Sequence, residues 1–298
     1  MNTRNTWLAV LLVLALAGAA LWLARYLGER KMNRIIDITP APLQPSPSGV
    51  SLRQGHYLFA TRGCADCHGA NGAGREVIRS GAMLVVSPNI TSGANSATAR
   101  YRDIDWVRAL RHGVKPDGRP VMIMPSEDFN RLTDDDLASI IAWVRQLPPV
   151  PGRRAEVRLP FRVKAMYAVG AVRDAAELID HARPPTLPVA PAISLEHGAY
   201  VARTCVGCHG EHLSGGRIPG SPAEWPAPAN LTPGSGSAMQ RYPSADSFMA
   251  MLRSGRRPDG SAISPVMPFG SLSQMNDVDV RALHAYLRQL PPRAAGGR

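Results

Sequence analysis

Aromatic side chains are scarce, at 6% of 298 residues, so the chain has little of the bulk that usually fills a large core. That length accommodates two domains of about 100–150 residues, and small cores of this kind often close around another apolar body. Cysteine is scarcer still. Four are present, all in two C-x-x-C pairs, Cys64/Cys67 and Cys205/Cys208, and none remains for a structural disulfide or a separate nucleophile. Acidic residues (23) are outnumbered by Lys and Arg (34), giving a net charge of +11, yet no domain-sized stretch concentrates the excess. Residues 50–149 carry 12 basic and 10 acidic side chains, and residues 192–292 carry 8 and 7. The surplus lies in the flanks and the 150–191 connector, which speaks against a nucleic-acid-binding face. Contact with anionic lipid and an unspecific solvated surface account for it equally well. Strand-like alternation of useful length is also missing.

One long apolar run is present. Trp7 to Ala24 are 18 consecutive uncharged, apolar or small residues, preceded by Arg4 and followed by Arg25, Arg30, Lys31 and Arg34. The length suffices to span a bilayer, and Trp7, Trp22 and Tyr26 stand near its ends as interface anchors do. A cleavable signal is the rival, because Ala15-Leu16-Ala17 and Ala17-Gly18-Ala19 resemble cleavage sites. The run continues past them to Leu23, which favours a retained anchor. The basic residues after the span would, by themselves, leave the body of the protein in the cytoplasm.

The rest of the chain is a duplication, at an offset of 141 to 143 residues. SLRQGHY at 51–57 matches SLEHGAY at 194–200, and PNIT at 88–91 matches ANLT at 229–232. WVRALRHGVKPDG at 106–118 matches FMAMLRSGRRPDG at 248–260, and the segments 124–149 and 267–292 both run from Met-Pro to LPP. Such a repeat fixes the architecture before any single motif does. Each unit reads as helices. Thr133 caps a helix opened by Asp134, Asp135 and Asp136, with Leu137, Ile140, Ile141, Val144 and Leu147 as its buried stripe. Asn276 does the same for Val280, Leu283, Leu287 and Leu290. Further helices are expected over 103–112 and 244–254, and from Leu52 into the first cysteine pair. The connector suggests a helix over 165–181 and then a stiff RPPTLPVAP stretch that holds the units at a set distance.

Three chemistries use C-x-x-C. A thioredoxin-like redox pair needs a strand before it and a helix after it, and neither copy has that context. Four thiolates could hold zinc, but the pairs sit in separate repeats and zinc gives no reason for a histidine after each pair. C-x-x-C-H is the attachment signature of c-type haem: the cysteines become thioethers, and His68 or His209 lies under the iron. A sixth ligand serving both copies must recur in both. His56 aligns with Ala199, His112 with Ser254 and His284 with Ile141, while His181, His197 and His212 have no matching histidine, so these read as packing or surface residues. Methionine does recur, with Met124-Pro125 aligned to Met267-Pro268. A methionine in a small core is commonly filler, but the repetition points to Met124 and Met267 as iron ligands, with Met122 as the fallback in the first copy. His/Met ligation raises the reduction potential and suits an electron carrier.

CxxCHG, NIT or NLT, the R-x-G…PDG segment, Met-Pro and a helix ending in LPP together resemble class I cytochrome c domains. They are similar in particular to membrane-anchored cytochrome c subunits of periplasmic alcohol and aldehyde dehydrogenases, although such subunits commonly carry three haem domains and two are seen here. The fold class expected is all-α, two tandem cytochrome c-like domains behind a single N-terminal transmembrane helix. The expected divisions are 1–28 anchor or signal, 29–49 spacer, 50–149 and 192–292 haem domains, 150–191 connector and 293–298 tail. The resemblance implies two covalent haem c groups, export before haem attachment, and a bacterial inner-membrane location with the domains in the periplasm. This last outweighs the charge bias around the span. It also implies a dehydrogenase as electron donor and a quinone, cytochrome or terminal oxidase as acceptor. The alternative is a di-haem enzyme, a peroxidase or a sulfur-compound dehydrogenase. Met-Pro in both copies opposes an open iron, and no spare cysteine exists for a thiosulfate-type ligand.

Overall fold

The computed structural model describes residues 3–298, with side chains from residue 6 onward. A long helix, α1 (Thr3–Met32), comes first. It is the one described helix long and apolar enough to cross a membrane, and its apolar residues are exposed. The first repeat supplies α2 (Leu52–Thr61), α3 (Cys64–His68), β1 (Glu76–Ser80), β2 (Met83–Val86), α4 (Asp103–His112), α5 (Ser126–Phe129) and α6 (Asp134–Gln146). The connector adds β3 (Glu156–Arg158), α7 (Phe161–Ala168) and α8 (Ala175–Leu178). The second repeat supplies α9 (Leu195–Ala202), α10 (Val206–His209), α11 (Ala245–Ser254), α12 (Phe269–Leu272) and α13 (Asp277–Gln289).

In each repeat the first and last helices cross with their backbones in contact. A Cβ on Gly55 would lie 2.0 Å from the Ser139 carbonyl oxygen, and one on Gly198 would lie 2.2 Å from that of Ala282. This close approach explains why SLRQGHY and SLEHGAY keep glycine at the same place. The expected caps are present. Thr133 Oγ1 accepts from the Asp136 amide at 3.1 Å, and Asn276 Oδ1 accepts from the Asp279 amide at 2.8 Å. Leu137, Ile140, Ile141 and Val144 pack against Leu58, Phe59 and Trp106 in one core, and Val280, Leu283 and Leu287 pack against Val201, Phe248 and Leu252 in the other.

The chain is mostly helical rather than all-α. An antiparallel sheet of order β1-β2-β3 stands beside the first repeat, with Ser80 paired to Met83 and Val85 to Val157. All four residues of β2 are buried, so the central strand is a short continuous apolar run without the alternation that betrays a half-exposed strand. Gly81, at φ 52°, opens the two-residue hairpin loop, a position where glycine is favoured. The connector also differs from the expected 165–181 helix. It gives a strand to this sheet, and its helix ends before Gly170 (φ 78°). At the base of α1, Arg34 forks onto Asp174 at 2.7 and 3.0 Å, and Lys31 pairs with Glu177 at 3.0 Å.

The two repeats are held against each other. They pack directly, related by an approximate two-fold exchange of contacts. Tyr57 donates to Asp279 Oδ2 at 2.7 Å and accepts from the Asn276 amide at 3.1 Å. Its counterpart Tyr200 donates to Asp136 Oδ2 at 2.5 Å and accepts from the Thr133 amide at 3.2 Å. Each tyrosine thus supplements the N-terminus of the other repeat's last helix. Asp279 also takes Arg62 at 2.8 Å and His197 Nε2 at 2.7 Å.

Burial pushes the Asp279 carboxyl up, but the Arg62 charge and the Arg62, Tyr57 and His197 donors outweigh it, so its pKa lies below the ordinary value. Its contribution to stability is therefore present above about pH 4 and lost as pH falls through the depressed folded value. Asp279→Asn leaves Arg62 buried without its counter-charge and should cost about 3 kcal/mol at neutral pH. Thermal unfolding followed from pH 7 to pH 3 should show the gap from wild type narrowing below about pH 4; a gap unchanged with pH would contradict the assignment.

Candidate functional site

The cysteine pairs lie on short helical segments: Cys64–His68 is one α-helical turn, while Cys205 ends a 3₁₀ turn that runs straight into the α-helical turn Val206–His209. In both, the histidine following the pair is fixed the same way. His68 Nδ1 lies 2.9 Å from the Pro88 carbonyl oxygen, and His209 Nδ1 lies 2.8 Å from that of Ala229. A carbonyl only accepts, so the ring proton is on Nδ1 and the Nε2 lone pair is free to bind a metal. Burial pushes both imidazoles down from the ordinary histidine value, against the pull of the carbonyl. The neutral form is the one a metal needs.

The residue after each of those carbonyls is a buried asparagine. Asn89 Nδ2 donates to the carbonyls of Ala94 and Val150, while its Oδ1 accepts from the Thr91 amide and hydroxyl. Asn230 repeats the set with Ser235, Arg293 and Thr232. Asn89 and Asn230 are 0% and 1% exposed, so every polar atom of each amide must be satisfied internally. The recurring N-[IL]-T is thus the clamp that ties the histidine's carbonyl loop to the chain leaving the last helix.

No disulfide joins any of the four cysteines. Burial pushes Cys64 and Cys205 up to about 12 and raises Cys67 and Cys208. Reactive C-x-x-C pairs have the opposite shift, so the environment opposes a redox dithiol. Among the described residues, no group of three or more His, Cys, Asp or Glu side chains converges to hold a metal, which leaves a zinc site without support.

Met124, half-buried, packs against the first core together with Cys64 and Ala65, and Met267 packs against the second together with Cys205 and Val206. Pro125 and Pro268, each following its methionine, share φ −79° and ψ 67°. Met122 lies elsewhere, against the cluster of Met83, Val85 and Leu159 at the sheet. Five of the six remaining histidines are used in packing or bonding: His56 against Trp143 at 4.4 Å, His112 with His181 at 3.1 Å, His197 with Asp279 and His284 with the Tyr242 carbonyl at 2.9 Å; the sixth, His212, is exposed. Each repeat therefore offers two thiols and a free imidazole nitrogen on one short helical segment, with a thioether in the same apolar cluster. That donor set fits a covalently held haem. The sequence reading missed Tyr57, Tyr200 and Arg62, although the tyrosines recur in register and Arg62 aligns with Arg203.

The family model described as Cytochrome c matches residues 52–148 and again 196–291. The chain is 28% identical over 288 residues to the cytochrome subunit of a fructose dehydrogenase from Gluconobacter japonicus, covering 88% of this chain and 58% of that protein. It is 26% identical over 267 residues to the cytochrome c subunit of a quinone alcohol dehydrogenase from Gluconobacter oxydans, covering 80% and 55%. A diheme cytochrome c-type protein of Cereibacter sphaeroides is 26% identical over 322 residues, covering 97% and 99%. The chain thus spans a little over half the length of the two dehydrogenase subunits.

Replacing Asn89 with alanine strands the buried Thr91 amide and takes one donor each from the carbonyls of Ala94 and Val150, and should destabilise the first domain by about 2 kcal/mol or more. Thermal unfolding would show this as a lowered midpoint, together with freer exchange of the His68 ring proton in NMR spectra. Unchanged values would show that the clamp does not hold the loop.

Proposed function

The chain belongs to the cytochrome c family, and from that premise we propose that it is the electron-accepting subunit of a membrane-bound dehydrogenase. Its two domains carry two covalently bound haem c groups. In this reading Cys64 and Cys67 hold the first haem and Cys205 and Cys208 the second, through thioethers. His68 and His209 would hold the iron through Nε2, and Met124 and Met267 would supply a sulfur ligand to it.

The observation that carries this assignment is the repetition of one arrangement in both domains: a histidine fixed through Nδ1 to a loop carbonyl, and a methionine that packs against the same apolar core as the first cysteine of the pair. Haem c so held supplies one-electron exchange, and a thioether ligand favours the reduced iron. The apolar cores exclude water from the histidine and methionine, and the asparagine clamps keep the ring from turning. The location of Met122 at the sheet favours Met124 over it. The repeated Met-Pro opposes an open iron, and catalysis is assigned to the partner.

The dehydrogenase partner rests on relatives whose names describe dehydrogenase subunits. The exposed apolar length of α1 supports a membrane anchor, with the haem domains in the periplasm and a quinone, cytochrome or terminal oxidase receiving the electrons. Gentle detergent extraction of native membranes, following the haem band, tests this. Co-migration with a dehydrogenase whose substrate reduces both haems is expected. Migration alone, or with an oxidase only, would overturn the subunit reading and leave a general carrier.

Met124→Ala should lower the potential of one haem, leave the other unchanged and open the altered iron to small external ligands. Met122→Ala should do none of this. The reverse outcome in a redox titration would transfer the assignment to Met122.

A further inference from the structure

Three arginines meet where the two domains touch. Arg62 lies two residues before Cys64, Arg203 two before Cys205, and Arg131 follows α5. Together with Asp128, Tyr200 and Thr204 they line one cavity, whose space for the centre of a water-sized sphere is about 10 Å³. That is room for about one water or one ion of halide size.

Each of these guanidiniums has a buried N–H group without a partner: Nη1 of Arg62, Nη1 of Arg131 and Nε of Arg203. The remaining nitrogens are not idle. Arg62 reaches Asp279 at 2.8 Å through Nη2, and Arg203 reaches Glu211 at 3.3 Å through Nη1. Arg62 is only 5% exposed. Buried donors left unpaired are uncommon in folded proteins, and three around one cavity call for an acceptor within it.

Negative charge is short at this point. Asp128 is the carboxyl lining the cavity, and burial with the neighbouring Glu127 raises it well above its ordinary value, which favours the neutral form. Its Oδ1 already accepts from the Gly207 amide at 3.1 Å. Burial, followed by Arg183 and Arg203, pushes Arg131 down from the ordinary guanidinium value. Arginine stays protonated all the same, so the cluster keeps uncompensated positive charge. The two-fold exchange between domains does not duplicate the cavity, because Gln274 stands where the second repeat would carry the counterpart of Arg131 and Ser271 where it would carry that of Asp128.

We propose that a single inorganic anion of halide size binds between Arg62, Arg131 and Arg203 and bridges the two domains. The ion accepts from the three unpaired N–H groups and supplies the missing counter-charge. It binds only where both repeats are folded against each other, since Arg62 and Arg131 come from one and Arg203 from the other. The site is independent of the electron partners, and its occupancy is read without any activity.

Crystals of the haem-loaded full chain grown with bromide in place of chloride should show an anomalous peak within hydrogen-bond distance of all three arginines. A water, a haem propionate or no density there overturns the proposal. In solution, chloride should raise the thermal unfolding midpoint along a saturating curve, beyond the rise from gluconate at equal ionic strength. Arg131→Gln, and separately Arg203→Gln, should abolish that excess while both haems remain attached. Equal responses to the two anions, or an excess that survives both substitutions, overturns it.

Discussion

Two tyrosine hydroxyls, exchanged between the halves of a duplicated chain, decide how the molecule is assembled. Each helix of the pair α6 and α13 begins with orphan amides that its own repeat only partly satisfies. The Asn276 amide is met by Tyr57 and the Thr133 amide by Tyr200, while the same hydroxyls donate to Asp279 and Asp136. The contact is reciprocal, so it closes on itself and holds the repeats face to face.

That closure sets the surroundings of both cysteine turns. Ser271 of α12 donates to Asp66, inside the first C-x-x-C, and Asp128 of α5 accepts from Gly207, inside the second. Each attachment turn thus touches the short helix that follows the other domain's Met-Pro. Arg62 is drawn into the same interface, where taking its charge out of water is tolerated only because Asp279 meets it. In the proposed role this is where electrons cross, and the anion between the arginines would complete the electrostatics of the crossing.

Much of this was legible in the sequence. The duplication, the caps at Thr133 and Asn276, and the C-x-x-C-H turns are local patterns with local causes. The antiparallel sheet was not, because β2 is buried throughout and carries no alternation, and its third strand comes from the connector beyond the repeat. The interface was not legible for a different reason. Tyr57 and Asp136 recur faithfully as Tyr200 and Asp279, but within one repeat they read as a packing residue and a helix-opening acid. Only the crossing of partners between repeats gives them another meaning. The asparagine of N-[IL]-T lay in between: its recurrence was plain, while its hold on the histidine's carbonyl needed the loop in three dimensions.

The face-to-face arrangement of the two haem domains is tested most directly by injecting one electron per molecule with a fast reductant pulse. Equilibration between the haems is then followed over a range of protein concentrations. A rate independent of concentration is expected, since transfer occurs within one molecule across the tyrosine-bound interface. A rate that rises in proportion to concentration would mean that electrons pass only between colliding molecules, and that the packing of the two domains is not the relay.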